Sequence, residues 1–275
     1  MIKNIIFSGG GFKAWAYIGA IQVLDEYSTF IPKNKIEQII GVSAGAVFGL
    51  CYILDIKWDF LLDYLMNLNF KEYLDINLDN IITNQSILEG KKITEILKEL
   101  ISFKIDPEIT FNELKYYSKI LFTVNALNIS DSKLEYFNYQ LTPNIKIIDA
   151  IRASCNLPFV FPPYCIGGAY YYDGGICNNC PINLVDELYS IAFDVSHHSD
   201  KNDTNTLLDL LNCLIIISNK NFNKFTDNVY KILDDKFKDQ MVNFNQTKDD
   251  IFNIYMSGYN NSKKILFTNH IGLKN

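Results

Sequence analysis

A serine flanked by two glycines is the first feature of this sequence that could do chemistry. Gly41-Val42-Ser43-Ala44-Gly45 has the pattern G-x-S-x-G and lies between a predicted strand and a predicted helix. There Ser43 would occupy a sharp turn with a strained backbone, and Gly41 and Gly45 would relieve the crowding around it. The pattern indicates a nucleophile at the amino end of a helix, although Ser43 could instead be an ordinary N-cap of that helix.

A run of three glycines follows the first predicted strand. Gly9-Gly10-Gly11 comes directly after the apolar stretch at residues 5–7. Consecutive glycines cost conformational entropy unless backbone N–H groups must approach something closely, and an oxyanion or a nucleotide phosphate would both explain them. Gly9, Gly11 and Ala14 fit a relaxed dinucleotide fingerprint, but no acidic ribose partner ends a clear second strand. The Walker pattern is absent, because no Gly-Lys-Ser/Thr follows.

An aspartate before two glycines ends a later predicted strand. Asp173-Gly174-Gly175 follows three tyrosines at residues 170–172 and suits a structural Asx turn as well as it suits catalysis. We predict that this strand and the strands before Gly9 and Ser43 are parallel. Because open α/β sheets keep their sites at the carboxyl ends of parallel strands, the three turns should lie together.

These motifs as a set resemble those of the patatin-like phospholipases, which are lipid acyl hydrolases with a Ser–Asp dyad. Gly9-Gly10-Gly11-Phe12-Lys13 is similar to the family's oxyanion-hole motif of three glycines and a basic residue. Ser43 matches the family's nucleophile elbow, and Asp173 matches its dyad aspartate in a D-G-G motif.

Two further segments extend the resemblance. The segment at residues 150–163 resembles the one that precedes the family's aspartate, and Asn179 and Pro181 complete the ending D-G-G-x-x-x-N-x-P. The resemblance covers about residues 1–195 in the expected order. Ala14 departs from it, since the family usually has glycine after the basic residue.

The resemblance implies a two-step acyl transfer that needs no cofactor and no metal. Asp173 would take the proton of the Ser43 hydroxyl directly, and N–H groups of the glycine loop would hold the oxyanion. The pKa of a carboxyl group used in this way would have to be raised by burial. Lys13 would orient the loop or meet a lipid phosphate; as an alternative it is a solvated lysine at a helix start.

Histidine offers a competing arrangement. Ser43, Asp173 and either His197 or His198 follow the chain order of an α/β-hydrolase triad. The histidines lie in a polar stretch that resembles an exposed turn, and Ser43 follows the second strand, which is early for that fold. We therefore favour the dyad, and we interpret His270 as a surface residue.

A lone C-x-x-C, formed by Cys177 and Cys180, has no further ligands at the spacing of a zinc site and no thioredoxin-like setting. We interpret both as incidental thiols and predict no metal site. Hydrolysis by the purified enzyme should therefore survive calcium chelation.

Strands that alternate with helices position these motifs. The pattern predicts an α/β fold with three layers, α/β/α, around a central and mostly parallel sheet. Strands are predicted at residues 5–7, 36–42, 120–126, 134–137, 170–172 and 191–195. Helices are predicted at residues 14–27, 44–54, 57–70, 85–101, 149–155, 206–218, 222–238 and 249–262, with a polar loop at 196–205.

The helix at residues 57–70 carries an apolar stripe that includes Trp58, Leu61 and Leu65. This stripe would suit a lid or an acyl-chain wall, and an ordinary core-facing helix is the simpler interpretation. We predict one acyl hydrolase core at residues 1–195 and a helical extension at 196–275 packed on the same domain.

Composition limits the partners of this chain. Its 25 basic and 31 acidic residues give a net charge of −6, and Arg152 is its only arginine, so nucleic acid is excluded as a partner. Lipid is the expected substrate, with transient and largely apolar contact to membranes.

Sparse cysteines and the lack of a signal-peptide core predict a cytoplasmic protein, peripheral at most to a membrane. A lipid-binding protein with little turnover is the alternative function. The sequence gives no indication of the oligomeric state.

Overall fold

The structure is a computed structural model that describes residues 1–73, 75–76, 86–196, 213, 215, 219 and 228–268. Within these residues, eight strands form one mixed sheet. The strands are β1 Asn4–Phe7, β2 Gln38–Gly41, β3 Leu121–Asn128, β4 Lys133–Phe137, β5 Tyr164–Ile166, β6 Ala169–Asp173, β7 Ser190–Asp194 and β8 Val229–Lys231.

Seven α-helices of the described residues flank the sheet. They are α1 Ala16–Glu26, α2 Ala44–Ile53, α3 Trp58–Asn67, α4 Lys91–Ser102, α5 Phe111–Tyr117, α6 Ile147–Ser154 and α7 Lys248–Leu266. None of these helices is long and apolar enough to cross a bilayer. The predicted α/β class with a central, mostly parallel sheet is confirmed, since β1 pairs in parallel with β2 and β7, and further parallel pairs join β2 to β3 and β7 to β8.

Apolar side chains cover the two faces of the sheet unequally. On β1, Ile5 and Phe7 belong to the main core with the helices, whereas Ile6 belongs to a small cluster with Cys180 and Ile182. Alternate residues of a strand point to opposite faces, so a short apolar strand supplies both clusters. Helix α7 joins the main core by lying against α1, where the two backbones approach so closely that a Cβ at Gly258 would lie 2.0 Å from the Ala16 carbonyl oxygen.

The direction of β6 differs from the prediction. This strand runs antiparallel to both β3 and β5, because β5 and β6 form a hairpin around Gly167-Gly168. Both glycines have positive φ angles, 59° and 91°, which is the backbone of a two-residue hairpin turn. Asp173 therefore does not end a parallel strand.

Two predicted helices are wrong in part. Residues 86–90 are not helical, and α4 begins at Lys91 after Gly90, which has a left-handed φ of 80°. Residues 228–238 were predicted as part of a helix, but they contain β8, which extends the sheet beside β7, and the start of a 3₁₀ helix, Asp235–Gln240. The C-terminal part of the chain thus contributes a strand as well as helices. Most of the predicted loop at 196–205 and helix at 206–218 lies outside the described residues.

Candidate active site

Ser43 lies on a strained turn between β2 and α2, as the sequence predicts. Its φ of 53° and ψ of −131° are unusual for a residue with a side chain. A Cβ at Gly41 would lie 2.3 Å from the Cα of Ala46, and one at Gly45 would lie 2.3 Å from the Phe7 carbonyl oxygen. Only glycine permits this contact between the turn, α2 and β1. The backbone N–H of Ser43 donates to the Ser154 hydroxyl at 2.8 Å.

The Ser43 side chain does not cap α2. Although Ser43 occupies the N-cap position, its hydroxyl accepts no hydrogen bond from the backbone of the helix. The predicted N-cap position is thus confirmed, but the Ser43 side chain does not cap the helix. The side chain contacts the carboxyl group of Asp173 instead, and only 7% of Ser43 is exposed.

Asp173 is buried at the end of β6, with 2% of its surface exposed. Burial raises the pKa of its carboxyl group to about 7, while hydrogen bonds from Ser43 and from the backbone N–H of Gly175 act to lower it. The Gly175 N–H lies 2.7 Å from Oδ1. The Asx turn and the contact with Ser43 are thus both present, and the carboxylate is a stronger base than an exposed aspartate would be.

Strand β3 places these two groups opposite each other. Val124 of β3 pairs with Gly41 on one side and Phe137 on the other, and Ala126 pairs with Asp173 and Glu135. Since β4 occupies one edge of β3 from Val124 to Asn128, opposite the ends of both other strands, β2 and β6 must share the other edge. They run toward each other and end two residues apart along β3, or about 7 Å. The antiparallel direction of β6 is what brings its carboxyl end to the Ser43 turn.

The glycine loop lies beside Ser43, and its three glycines have different surroundings. The N–H of Gly9 donates to the Asn179 carbonyl oxygen at 3.2 Å, so Gly9 is not a donor for an oxyanion. A Cβ at Gly9 would lie 3.2 Å from the Cβ of Ser43, and one at Gly10 would lie 2.3 Å from Val195. Within the described part of the chain, no acceptor is bonded to the N–H of Gly10 or Gly11. These two groups are the candidate donors.

The C-terminal part of the chain holds the end of this loop. Gly11 has a φ of 54°, and a Cβ there would lie 2.1 Å from the Met241 carbonyl oxygen. The N–H of Phe12 donates to the same oxygen at 3.0 Å. Lys13 is 3% exposed, so its interpretation as a solvated lysine is wrong.

Two asparagines connect the glycine loop to the Asp173 turn. Asn179 donates through Nδ2 to the Gly9 carbonyl oxygen at 3.0 Å, and its own N–H donates to Oδ1 of Asn219 at 2.6 Å. Asn219 in turn donates to the Gly175 carbonyl oxygen at 2.8 Å and is 2% exposed. Gly174 packs against Asn125 in the same turn. Asn179 belongs to the motif quoted above, but nothing in the sequence around Asn219 indicated a role.

A thiol also contacts the candidate nucleophile. Cys155 has a hydrogen-bonding contact with Ser43, and burial, followed by the nearby Asp173, raises the pKa of the thiol to about 12. The thiol is therefore neutral at physiological pH and does not compete with Ser43 as an anion. Sequence analysis did not single out this residue.

An apolar cavity of about 180 Å³ opens beside Ser43. Among the described lining residues, Ser43 supplies the only hydroxyl group. The others come from residues 11–15 and 155–161, the start of α2, one face each of α3 and α4, Phe70 and residues 241–244. Leu61 and Leu65 of α3 line the cavity, while Trp58 of the same helix stacks on Tyr255 of α7. Helix α3 is thus both a core helix and a wall of the cavity. The part of the lining that the structure describes contains no charged side chain, which does not suit a nucleotide phosphate.

The remaining sequence candidates lie apart from this arrangement or outside the described residues. Cys177 and Cys180 are free thiols, and Cys180 packs among aliphatic side chains. His197, His198 and His270 lie outside the residues that the structure describes.

Comparisons with known proteins identify the family of this chain. The sequence profile described as patatin-like phospholipase matches residues 5–186. "Probable lipid hydrolase 463L" of Invertebrate iridescent virus 6 is 29% identical over 206 residues, which cover 73% of this chain and 66% of the viral protein. Triacylglycerol lipase 4 of Saccharomyces cerevisiae is 23% identical over 222 residues, which cover 68% of this chain and 23% of the yeast protein.

Solved structures share the fold at low sequence identity. VipD from Legionella pneumophila superimposes with a TM-score of 0.57 at 17% identity, covering 98% of this chain and 67% of VipD. The type III effector ExoU gives a TM-score of 0.54 at 12% identity, covering 97% of this chain and 53% of ExoU. The matched part thus spans about two thirds or less of each of these four proteins. Because the family profile covers well over half of the chain, this protein belongs to the patatin-like phospholipase family.

Proposed function

We propose that this protein hydrolyses fatty-acyl esters of phospholipids or related lipids, with Ser43 as the nucleophile and Asp173 as the general base. One observation carries the proposal: a strained serine contacts a buried carboxyl group whose pKa is about 7, beside an apolar cavity. Membership of a lipid hydrolase family supports it.

The chemistry follows from these positions. Asp173 takes the proton of the Ser43 hydroxyl while Oγ attacks the ester carbonyl carbon, and the N–H groups of Gly10 and Gly11 stabilise the oxyanion. Collapse of the tetrahedral intermediate expels the alcohol, which leaves with the proton from Asp173. Water then attacks the acyl-enzyme, Asp173 accepts its proton, and the fatty acid is released as Ser43 recovers a proton. No step requires a metal or a cofactor.

Hydrolysis of a fluorogenic phospholipid tests the nucleophile. Replacing Ser43 with alanine should lower kcat/KM by at least about 10⁴-fold, because the other nucleophilic group of the described lining, the Cys155 thiol, is neutral at physiological pH. Ser102→Ala, an exposed serine at the end of α4, is the matched control and should retain activity. Full activity in Ser43→Ala, or lipid binding without turnover in the wild type, would contradict the proposal.

Covalent labelling tests the same group without turnover. Ser43 Oγ should attack the phosphorus of a long-chain alkyl fluorophosphonate and expel fluoride, while Asp173 takes the hydroxyl proton. The added mass should lie on the peptide that contains Ser43. Labelling should disappear in Ser43→Ala and persist in Ser102→Ala. A label on another residue of the wild type would assign the nucleophile elsewhere.

Contact with a membrane surface and a cytoplasmic location belong to the same proposal. Phe60 of α3 and Phe103, which follows α4, are exposed and contact each other at 4.8 Å between ring centroids. The charges on α3, Lys57, Asp59 and Asp63, do not form a basic face. Binding to vesicles of neutral phospholipid should therefore change little between low and high salt, and a steep fall with salt would contradict an apolar contact.

A further inference from the structure

A second, smaller void lies beside the apolar cavity, and we call it the distal void. It encloses about 10 Å³ and is lined by aliphatic side chains and one cysteine: Val47, Leu50, Cys51, Leu54, Ile56, Leu97, Leu100, Ile101 and Ile151. Val47, Leu97 and Leu100 also line the apolar cavity. These three side chains therefore form the wall between the two spaces.

Helix α2 sets the order of these spaces relative to Ser43. Ala44 and Val47 line the apolar cavity, whereas Leu54 lines only the distal void. Since a helix rises about 1.5 Å per residue, Val47 lies about 6 Å along the axis from Ser43 and Leu54 about 16 Å. The distal void thus lies farther from the candidate nucleophile than the wall does.

Two other helices show the same order. On α4, Ile93 lines only the apolar cavity, while Ile101 lines only the distal void. On α6, Ile151 lines the distal void, and Cys155, just after this helix, lines the apolar cavity. Helices α2 and α4 thus give the order cavity, wall, distal void, and α6 agrees with it without contributing a wall residue.

We propose that Leu97 and Leu100, together with Val47, form an end stop that sets the longest acyl chain the cavity accepts. The inference rests on the proposed function, because the ester carbonyl must then lie at Ser43 and the methyl end must point away from it. Leu97 and Leu100 are 6% and 5% exposed. A longer chain would have to displace buried leucines, so its terminal methylenes would remain outside the cavity.

A series of fluorogenic esters of straight-chain fatty acids of increasing length tests the end stop. Leu97→Ala should join the cavity to the distal void and move the preferred chain longer by about two carbons. Two more buried methylenes should raise kcat/KM for the longer ester, relative to the shorter one, by about tenfold. Leu97→Phe should move the preference toward shorter chains. If Leu97 had a purely structural role, its substitution would lower kcat/KM for esters of all chain lengths by the same factor.

Ile101→Ala is the matched control. Ile101 lies on the same helix and is 5% exposed, but it lines only the distal void. Its truncation should therefore leave the chain-length profile unchanged. Folded Leu97→Ala and Leu97→Phe variants with the wild-type profile would overturn the proposal, as would an equal shift in Ile101→Ala. If Leu97→Ala does not fold by circular dichroism, Leu100→Val replaces it, with the same direction of shift expected.

The failure of the end stop is distinguishable from the failure of the proposed function. Loss of the function would appear as an inactive wild type or as an active Ser43→Ala, whereas loss of the end stop leaves an active wild type with unshifted variants. Displacement of a bound fluorescent fatty acid by acids of increasing length needs no turnover. Even if the wild type shows no hydrolysis, Leu97→Ala should bind longer acids than the wild type does. An identical length preference in the two proteins would overturn the end stop.

Discussion

The polar half of the candidate site, around Ser43 and Asp173, is held by hydrogen bonds, whereas the apolar cavity beside it is held by side-chain packing. Asp173, Asn179 and Asn219 have partners between 2.6 and 3.0 Å. The cavity is lined by side chains from several helices that can rearrange when their volume is preserved. A change of a single atom should therefore lower kcat/KM in the polar half. In the apolar half, only a change of side-chain volume should do so.

Among substitutions that leave Ser43 in place, the largest effect should come from Asp173→Asn. The amide keeps the shape but cannot accept the Ser43 proton, so kcat/KM for a phospholipid should fall by about 10³-fold or more. Asp131→Asn, at an exposed carboxylate paired with Lys133, is the control and should be nearly neutral. An Asp173→Asn enzyme with more than a tenth of wild-type activity would remove Asp173 from the mechanism.

The same substitution should stabilise the fold at high pH. The pKa of Asp173 is about 7 in the folded protein and about 3.8 in a model peptide. Between pH 3.8 and 7 the Asp173 carboxyl is protonated in the folded state and ionised in the unfolded state, so the free energy of unfolding falls as the pH rises. Above pH 7 the loss is complete and amounts to at most about 4 kcal/mol. Urea unfolding should therefore show Asp173→Asn gaining stability at pH 8 and no comparable gain at pH 4. A constant difference across this range would contradict the raised pKa.

The next largest effect should come from Asn219→Ala. It leaves the N–H of Asn179 and the carbonyl of Gly175 without their partner, which should cost about 2 kcal/mol of stability. Displacement of the Asp173 turn should lower kcat by roughly 10- to 100-fold, with little change in KM for a short ester. Asn228→Ala, at an exposed side-chain contact with the Glu187 carbonyl, is the control. An equal loss in both variants would make Asn219 merely structural.

The pH dependence should be smaller and graded. Because the carboxylate must be ionised to act as base, kcat/KM should fall about tenfold per pH unit below the pKa of about 7. The profile is measured between pH 5 and 9 in about half-unit steps, within the range where the fold persists. A kcat/KM that stays constant from pH 9 down to pH 5 would mean that burial does not raise the pKa of the base.

The smallest effect should come from substitutions that preserve volume in the cavity. Leu65→Met and Ile93→Leu should change kcat/KM by less than about threefold. Rates for one medium-chain ester, compared with those of Asp173→Asn under the same conditions, measure the contrast between the two halves. A loss beyond about 100-fold in either variant would show that the apolar half is as exacting as the polar half.

Local sequence was sufficient to find the Ser43 turn and the Asp173 turn, since the glycines around each reflect a nearby steric need. It could not give the direction of β6, which depends on the hairpin at Gly167-Gly168. That glycine pair between two apolar runs was a readable signal for the hairpin. Asn219 carried no signal, because its partners at the candidate site, Asn179 and Gly175, lie 40 or more residues away and asparagine is common in this chain.

Strand β8 and the end of the helix at 222–238 show a further limit. Apolar spacing in that stretch fits a helix, but pairing with β7 determines its conformation at Val229–Lys231. Likewise, the polar contacts of Cys155 with Ser43 arise from a turn after α6 and have no counterpart in residue spacing.

The hydrogen bond from Phe12 to the Met241 carbonyl has a consequence for transplanting this site. Residues 1–195 carry the proposed nucleophile, the proposed base and the glycines, yet the conformation of Gly11 depends on a carbonyl some 230 residues later in the chain. A chimera that grafted the first 195 residues onto another scaffold would inherit the reactive groups without the support of their oxyanion loop. Recombination between relatives should therefore exchange the segment around Met241 together with the glycine loop.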